Sequence, residues 1–153
     1  MNKLISLKEL IYNELLNIVD KKIATAKQAI ESAKESRDND TKSSVGDKYE
    51  TGRVMMQIEM ENHEIQLSKA LKQKGELLQI NIKKEYKKAA SGSLVITNQG
   101  NYFISIGIGK IDVNNEIFFS ISLASPLGML IFDKKVGAKF QFQEKKFTIK
   151  NIV

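Results

Sequence analysis

Apolar residues recur every seven positions in the first part of the chain, and this repeat constrains the fold more than any other feature. Between about residues 7 and 37, two series occupy the a and d positions of a heptad: Leu16, Ile23 and Ile30, and then Tyr12, Val19, Ala26 and Ala33. The stripe is narrow and turns to alanine towards its end, which is typical of two helices packed closely together. A helix of this length would extend ~45 Å, too long for a compact domain of this size. The repeat therefore predicts one long helix with a helical partner.

A second helical run follows a polar, turn-forming stretch at residues 36–46. From about residue 48 to residue 89 the same two heptad positions recur: Met56, His63, Ala70 and Leu77 in one series, and Met60 and Leu67 in the other. Gly75 costs ~1 kcal/mol relative to alanine inside a helix, and we expect the helix to bend there. Together the two runs predict an antiparallel coiled-coil hairpin over residues 1–90, with its turn at about residues 38–50.

After residue 90 the period of the sequence changes from helical to strand-like, which predicts a second domain over residues 91–153. Five stretches have the pattern of strands: 93–97, 102–108, 116–123, 140–143 and 147–152. Turns are expected at Asn98-Gln99-Gly100, Asn114-Asn115 and Glu144-Lys145-Lys146. Ser125 as the N-cap, with Pro126 as the first helical residue before the apolar run 127–132, predicts a short helix. The expected fold is α+β: a helical hairpin followed by a small antiparallel sheet with one helix.

Composition and charge narrow the classes of function. The net charge is +6, which makes acidic partners plausible, but the excess is divided evenly between the two parts of the chain. There is no cysteine, and so neither a disulfide nor a thiolate metal site. No apolar run approaches the ~18 residues of a membrane span. The N-terminus lacks the apolar centre of an export signal, so we expect a cytoplasmic protein.

The residues give little support to catalysis by the chain itself. The single histidine, His63, falls on the predicted helical seam, where histidine more often packs or sets the register than acts as a base. Gly107-Ile108-Gly109-Lys110 lacks the later glycine of a phosphate loop and is interpreted as a bulged strand. Asp38-Asn39-Asp40 begins like a calcium loop but lacks the glycine and the glutamate of that loop. These residues are therefore interpreted as solvent-exposed polar residues of the turn.

Two carboxylates, Asp47 and Glu50, stand three residues apart at the start of the second helical run. Asp at the N-cap with Glu at the third helical position is the spacing of a capping box, worth ~1 kcal/mol. The same pair is able to share a hard cation such as Mg²⁺, although two carboxylates are too few for a complete site. The pair would therefore hold a metal only beside ligands supplied by another protein. The local pattern leaves both interpretations open.

The turn resembles that of the Gre family of bacterial transcript-cleavage factors. The family motif is Gly-Asp-x-x-Glu-Asn-Ala-Glu-Tyr, and Gly46, Asp47 and Glu50 match its first three specified positions. Residues 51–54, Thr-Gly-Arg-Val, replace the remainder of the motif.

The proline-capped helix carries a second resemblance to the same family. Its motif Ser-Pro-(Ile/Leu)-(Gly/Ala)-x-x-Leu-Leu-Gly-Lys-Lys-Val-Gly is similar to residues 125–137, where Asp133 replaces the glycine before the lysine pair. The order and the lengths of the two parts of the chain also agree with the family. The resemblance therefore spans essentially the whole chain.

The resemblance implies an accessory factor of bacterial RNA polymerase rather than an enzyme. An FKBP-like domain would dock at the rim of the polymerase's secondary channel, and the residues implied in docking are Ser125, Pro126, Lys134 and Lys135. The coiled coil would enter the channel, where Asp47 and Glu50 would help to hold a Mg²⁺ shared with the polymerase during cleavage of backtracked RNA. The basic residues nearest the turn, which would contact the RNA 3′ segment or the polymerase, are Arg37, Lys42, Lys48 and Arg53.

Two alternatives remain open. Because residues 51–54 depart from the family motif, the scaffold also fits a secondary-channel regulator that modulates or inhibits transcription without promoting cleavage. A third function is that of an FKBP-like prolyl isomerase with a helical arm, but its pocket needs several aromatic residues, and the phenylalanines here fit core packing. For the polymerase factor we expect no cofactor bound by the chain alone, no membrane partner and no small-molecule substrate.

Overall fold

The computed structural model describes residues 3–40 and 46–153, and the side chains of residues 40 and 46–50 lie outside the described residues. The fold is α+β, as predicted, with two long helices followed by a six-stranded sheet and one short helix. The elements are α1 (Lys3–Asp40), α2 (Gly46–Leu78), β1 (Leu94–Thr97), β2 (Gly100–Ile104), β3 (Gly109–Val113), β4 (Glu116–Ile121), α3 (Pro126–Ile131), β5 (Lys139–Phe142) and β6 (Lys145–Ile152).

The chain forms two compact units. We call Asn17–Lys74 the hairpin unit, and Met1–Leu16 together with Gly75–Val153 the sheet unit. In the described ranges, no helix combines the length and the apolar character that a bilayer crossing requires.

In the hairpin unit, α1 and α2 pack against each other along the predicted apolar seam. The buried seam residues are Val19, Ile23, Ala26, Met60 and Ala70. The other predicted seam positions of this unit are half-buried: Ile30, Ala33, Met56, His63 and Leu67. Between the helices, Lys74 Nζ lies 2.7 Å from Asp20 Oδ1. The predicted helical hairpin is therefore confirmed.

The ends of the long helices in the sheet unit pack differently from the prediction. Ile11, Leu15 and Leu77 are fully buried, whereas the predicted seam residue Leu16 is only half-buried. Tyr12 is also half-buried, and its hydroxyl donates to the Leu77 carbonyl at 2.9 Å. At this end of α1 the buried residues therefore lie one position before the predicted heptad positions.

The second helix is shorter than predicted, because α2 ends at Leu78 rather than near residue 89. Residues 79–89 instead form turns and an extended stretch in the sheet unit. Ala89 is fully buried there; its amide donates to the Lys134 carbonyl at 2.9 Å, and the Asp133 amide donates to its carbonyl at 2.8 Å. Tertiary packing therefore outweighs the helix propensity of this stretch.

The sheet has the strand order β3-β4-β2-β1-β6-β5. Every neighbouring pair is antiparallel except β2 and β4, which run parallel, so the predicted antiparallel sheet is mostly antiparallel. The parallel pair arises because the β3–β4 hairpin folds back and places β4 directly beside β2.

The predicted strand over residues 102–108 ends early, at Ile104, and the chain then begins a separate strand at Gly109. Gly109 has a φ of +88°, a left-handed conformation that glycine adopts at little cost. Residues 107–110, interpreted from the sequence as a bulged strand, are therefore the link between two strands and the first residues of β3.

Two of the tight turns have the geometry expected of a twisted hairpin. Asn114 and Asn115 have φ values of 53° and 64°, which confirms the turn predicted at these residues. Gln143 and Glu144 have φ values of 50° and 67°, so the second turn lies slightly before the predicted residues 144–146. Positive φ at both central residues is the property of type I′ turns, which match the right-handed twist of the flanking strands.

The core of the sheet unit is apolar and rich in aromatic residues. One buried cluster consists of Ala89, Val95, Tyr102, Ile104, Ile131, Phe147, Ile149 and Ile152. Burial of each Ile or Phe side chain contributes roughly 1.5–3 kcal/mol. Six of the seven phenylalanines are buried or half-buried, which agrees with their predicted role in packing; Phe132 is 52% exposed.

Candidate functional site

The carboxylates predicted at the hairpin turn lie at the start of α2. Because α2 begins at Gly46, Asp47 and Glu50 are its second and fifth residues. Acidic residues are favourable at this end of a helix, and residues three apart are neighbours on its surface. The side chains of Asp47, Glu50 and Lys48, and the whole of Lys42, lie outside the described residues. The capping hydrogen bonds and the shared metal therefore stay predictions.

Two of the basic residues predicted near the turn share one cavity. Arg37 of α1 and Arg53 of α2 line a space of about 520 Å³ together with Val54 and Gln57. Arg37 Nε also lies 3.6 Å from Asp38 Oδ1. Guanidinium groups bind carboxylates and phosphates through paired hydrogen bonds. The cavity therefore has the chemistry to receive an anionic group.

The N-terminus of α3 is capped as predicted. Ser125 has an extended backbone, and its Oγ accepts a hydrogen bond from the Gly128 amide at 3.0 Å. The same hydroxyl donates to the Ser122 carbonyl at 2.7 Å, and Pro126 occupies the first turn of the helix. Gly128 is buried against the Ser122 carbonyl, where a Cβ atom would collide with the backbone. These contacts fix the start of α3 on the chain that precedes it.

The residues after α3 bring the predicted lysine pair to the surface. Asp133, the residue that replaces the motif's glycine, has a φ of 67°, a conformation that favours glycine. Its amide and the Lys134 carbonyl form the two hydrogen bonds to Ala89. Lys134 is half-buried with its Nζ 5.7 Å from the centre of the Phe140 ring, whereas Lys135 is exposed. Of the pair, Lys135 is the more accessible to a partner.

Exposed apolar residues that the sequence pattern did not single out lie on α3 and in the residues that follow it. Met129, Phe132 and Val136 are 64%, 52% and 55% exposed, and we call them the α3 apolar surface. A six-residue helix has only one side to bury, and here Gly128 and Ile131 occupy it. In the sequence, the feature that could have indicated this exposure is the apolar run 127–132, which is longer than one side of so short a helix.

A buried lysine, also missed from the sequence, joins three segments of the sheet unit. Lys8 is 0% exposed, and its Nζ donates to the carbonyls of Lys84 at 2.8 Å and Val153 at 3.2 Å. Nζ also lies 4.9 Å from the centre of the Tyr86 ring, close enough for a cation–π interaction. Burial lowers the pKa of Lys8 from 10.5 to about 8, and the Glu85 charge acts in the opposite direction. In the sequence, the feature that could have indicated burial of Lys8 is its position among apolar residues in the first turns of α1.

The acidic residues of the described ranges do not gather into a metal site. Asp38, Asn39 and Asp40 are the last three residues of α1 rather than part of the predicted turn. Among the described residues, no three His, Asp or Glu side chains lie close enough to hold a metal ion.

Compared with known proteins, the chain matches no protein-family model, no curated protein and no solved structure. At the level of class, the fold and the candidate residues define an α+β protein with a helical hairpin and a mostly antiparallel sheet.

Proposed function

We propose that this chain is an accessory factor of bacterial RNA polymerase, with a coiled-coil hairpin that enters the secondary channel and an FKBP-like domain that docks at its rim. The observation that supports this best is the hairpin, because Asp47 and Glu50 stand at the start of its second helix. At about 1.5 Å per residue, residues 17–40 of α1 are roughly 36 Å long. Such a hairpin is suited to carrying its turn along a narrow channel.

In this proposal the turn supplies ligands to the active centre of the polymerase. Asp47 and Glu50 would hold a Mg²⁺ shared with the polymerase, since carboxylate oxygens are the ligands that Mg²⁺ prefers and two of them are too few to retain it alone. The chemistry that such a Mg²⁺ would supply is a lower pKa of a bound water and neutralisation of charge on the displaced oxygen. Arg37 and Arg53, which line one cavity, would contact phosphates of the RNA 3′ segment.

Docking at the rim of the channel is assigned to α3 and the residues after it. Ser125 and Pro126 fix the start of α3, and the α3 apolar surface supplies Met and Phe side chains of the kind enriched at protein interfaces. The exposed Lys135 and the half-buried Lys134 would meet acidic groups of the polymerase.

A second candidate function keeps the docking and omits the cleavage. Val54, Met55 and Ile58 are 59%, 66% and 53% exposed, just beyond the carboxylates and partly within the stretch that departs from the family motif. Apolar side chains there would bind a channel wall rather than position water or RNA. The chain would then modulate or inhibit transcription by occupying the channel.

RNA cleavage in stalled, backtracked elongation complexes distinguishes the two functions. The wild type should accelerate cleavage, whereas Asp47→Asn and Glu50→Gln should remove most of the acceleration because each deletes a charged ligand. Glu61→Gln is the matched control, since Glu61 is an exposed carboxylate further along α2 and should leave the rate unchanged. Binding to polymerase without any acceleration would leave only the second function.

The docking assignment has its own variant. Phe132→Ser should weaken binding to polymerase by tenfold or more, since truncation of a central interface anchor costs about 2 kcal/mol or more. Ile117→Ser is the control, because Ile117 is 48% exposed in the same unit but lies on β4. Equal losses in both variants would argue against a docking role for α3.

A further inference from the structure

A groove of about 420 Å³ lies between α1 and α2 within the hairpin unit. Ala26 and Ala70 are buried seam residues that line it, and Ala29 lines it as a half-buried residue. Ala26 and Ala70 are small residues of the heptad pattern, and they leave open the space that a leucine would fill. The volume is within the range of small-molecule sites, about 300–1,000 Å³.

The rim of this groove is positively charged. Lys21 and Lys22 come from α1 and Lys69 from α2, and none of the described residues that line the groove is acidic. Across the part of the chain that the structure describes, none of these three lysines lies within ion-pair distance of a carboxylate. Three unopposed cations around an apolar floor create a local positive potential that is complementary to a polyanion.

We propose that this groove binds an organic phosphate of nucleotide size. The lysines would bind the phosphates by charge-assisted hydrogen bonds, and the alanine floor would contact the flat apolar body of the ligand. Gln66 and Gln73, which also line the groove, provide amide donors and acceptors for the polar edge of that body. The site lies within the hairpin unit and its ligand binding does not depend on the polymerase.

Calorimetric titration of the isolated protein with ATP, GTP, inorganic triphosphate and adenosine tests the proposal. Both nucleotides should bind, with an affinity that falls as salt screens the lysines. Inorganic triphosphate should bind about tenfold more weakly than the nucleotides, because it makes no contact with the apolar floor. Adenosine, which lacks phosphates, should not bind measurably. Absence of nucleotide binding, or equal binding of inorganic triphosphate, overturns the proposal.

Variants locate the binding in the groove. Lys22→Gln combined with Lys69→Gln should weaken nucleotide binding about tenfold or more, since each lysine provides a hydrogen bond to a charged group. Lys27→Gln combined with Lys72→Gln removes the same net charge from exposed lysines of the same two helices outside the groove, and should change the affinity less than about twofold. Equal losses of nucleotide affinity in the two double variants would contradict a specific binding site in the groove.

A third variant separates the floor from the rim. Ala29→Leu fills the groove without a change in charge, so it should abolish nucleotide binding and spare the weak binding of inorganic triphosphate. Circular dichroism checks that the hairpin remains helical in this variant. Chemical-shift changes at the methyl groups of Ala26 and Ala70 in the wild type report binding at the groove independently of any variant. Nucleotide binding that leaves these methyl signals unchanged refutes the proposal.

Discussion

Replacement of Lys8 by methionine should remove a pH dependence of stability that the buried ammonium creates. Burial lowers the pKa of Lys8 in the folded chain from 10.5 to about 8, whereas the unfolded chain retains the ordinary pKa. Between these two pKa values the unfolded chain binds more protons than the folded chain, so the free energy of unfolding rises with pH. The contribution of Lys8 to the free energy of unfolding is therefore fully present above pH 10.5, and it is lost as the pH falls through the folded-state pKa of about 8. From about pH 7 to about pH 9.5 the gain is about 2 kcal/mol.

Urea denaturation followed by circular dichroism measures this difference. The wild type should gain about 2 kcal/mol relative to Lys8→Met over that range. Lys145→Met is the matched control, since Lys145 is exposed and its loss should preserve the wild-type slope. Parallel pH curves for wild type and Lys8→Met would refute the role assigned to the buried ammonium.

Three backbone predictions follow from the glycines and from Asp133, each measured by the urea midpoint. Asp133→Gly should raise the free energy of unfolding by about 1 kcal/mol, because the φ of 67° at this residue favours glycine. The exposed ion pair between Asp133 and Lys88, at 3.7 Å, contributes little to stability. An unchanged midpoint would mean that the backbone conformation at Asp133 carries no strain. Gly75→Ala should stabilise by ~1 kcal/mol, since the added methyl group meets no atom within 4 Å inside a helix. Gly128→Ala should destabilise by about 1–3 kcal/mol through its collision with the Ser122 carbonyl, and a neutral result would show that α3 shifts freely.

Local periodicity was sufficient to predict the fold class. The seam residues Val19, Ile23 and Met60 follow directly from the helical repeat, and the short cap of Ser125 and Pro126 follows from backbone chemistry. The end of α2 was not predictable in the same way, because Ala89 is held by hydrogen bonds to residues far along the chain. The parallel pairing of two strands likewise depends on distant partners rather than on local pattern.

The candidate site residues likewise fall into those that local sequence predicted and those that depend on tertiary packing. The carboxylates Asp47 and Glu50 were found because their spacing is a local motif. Lys8 and the α3 apolar surface were missed, because burial of a lysine and exposure of Phe132 depend on what the fold packs beside them. The grouping of Arg37 with Arg53 also required the pairing of the two helices.

Site-specific photo-crosslinking from the hairpin turn tests the proposed function most directly. A photoreactive residue in place of Lys48, within the first turn of α2, should crosslink to the catalytic subunit of bacterial RNA polymerase at residues that line the secondary channel and active centre. The same group in place of Lys146, exposed on β6, is the control for nonspecific contact and should not label the active centre. Crosslinks from position 48 that avoid the channel, or no crosslink to polymerase at all, would contradict the account.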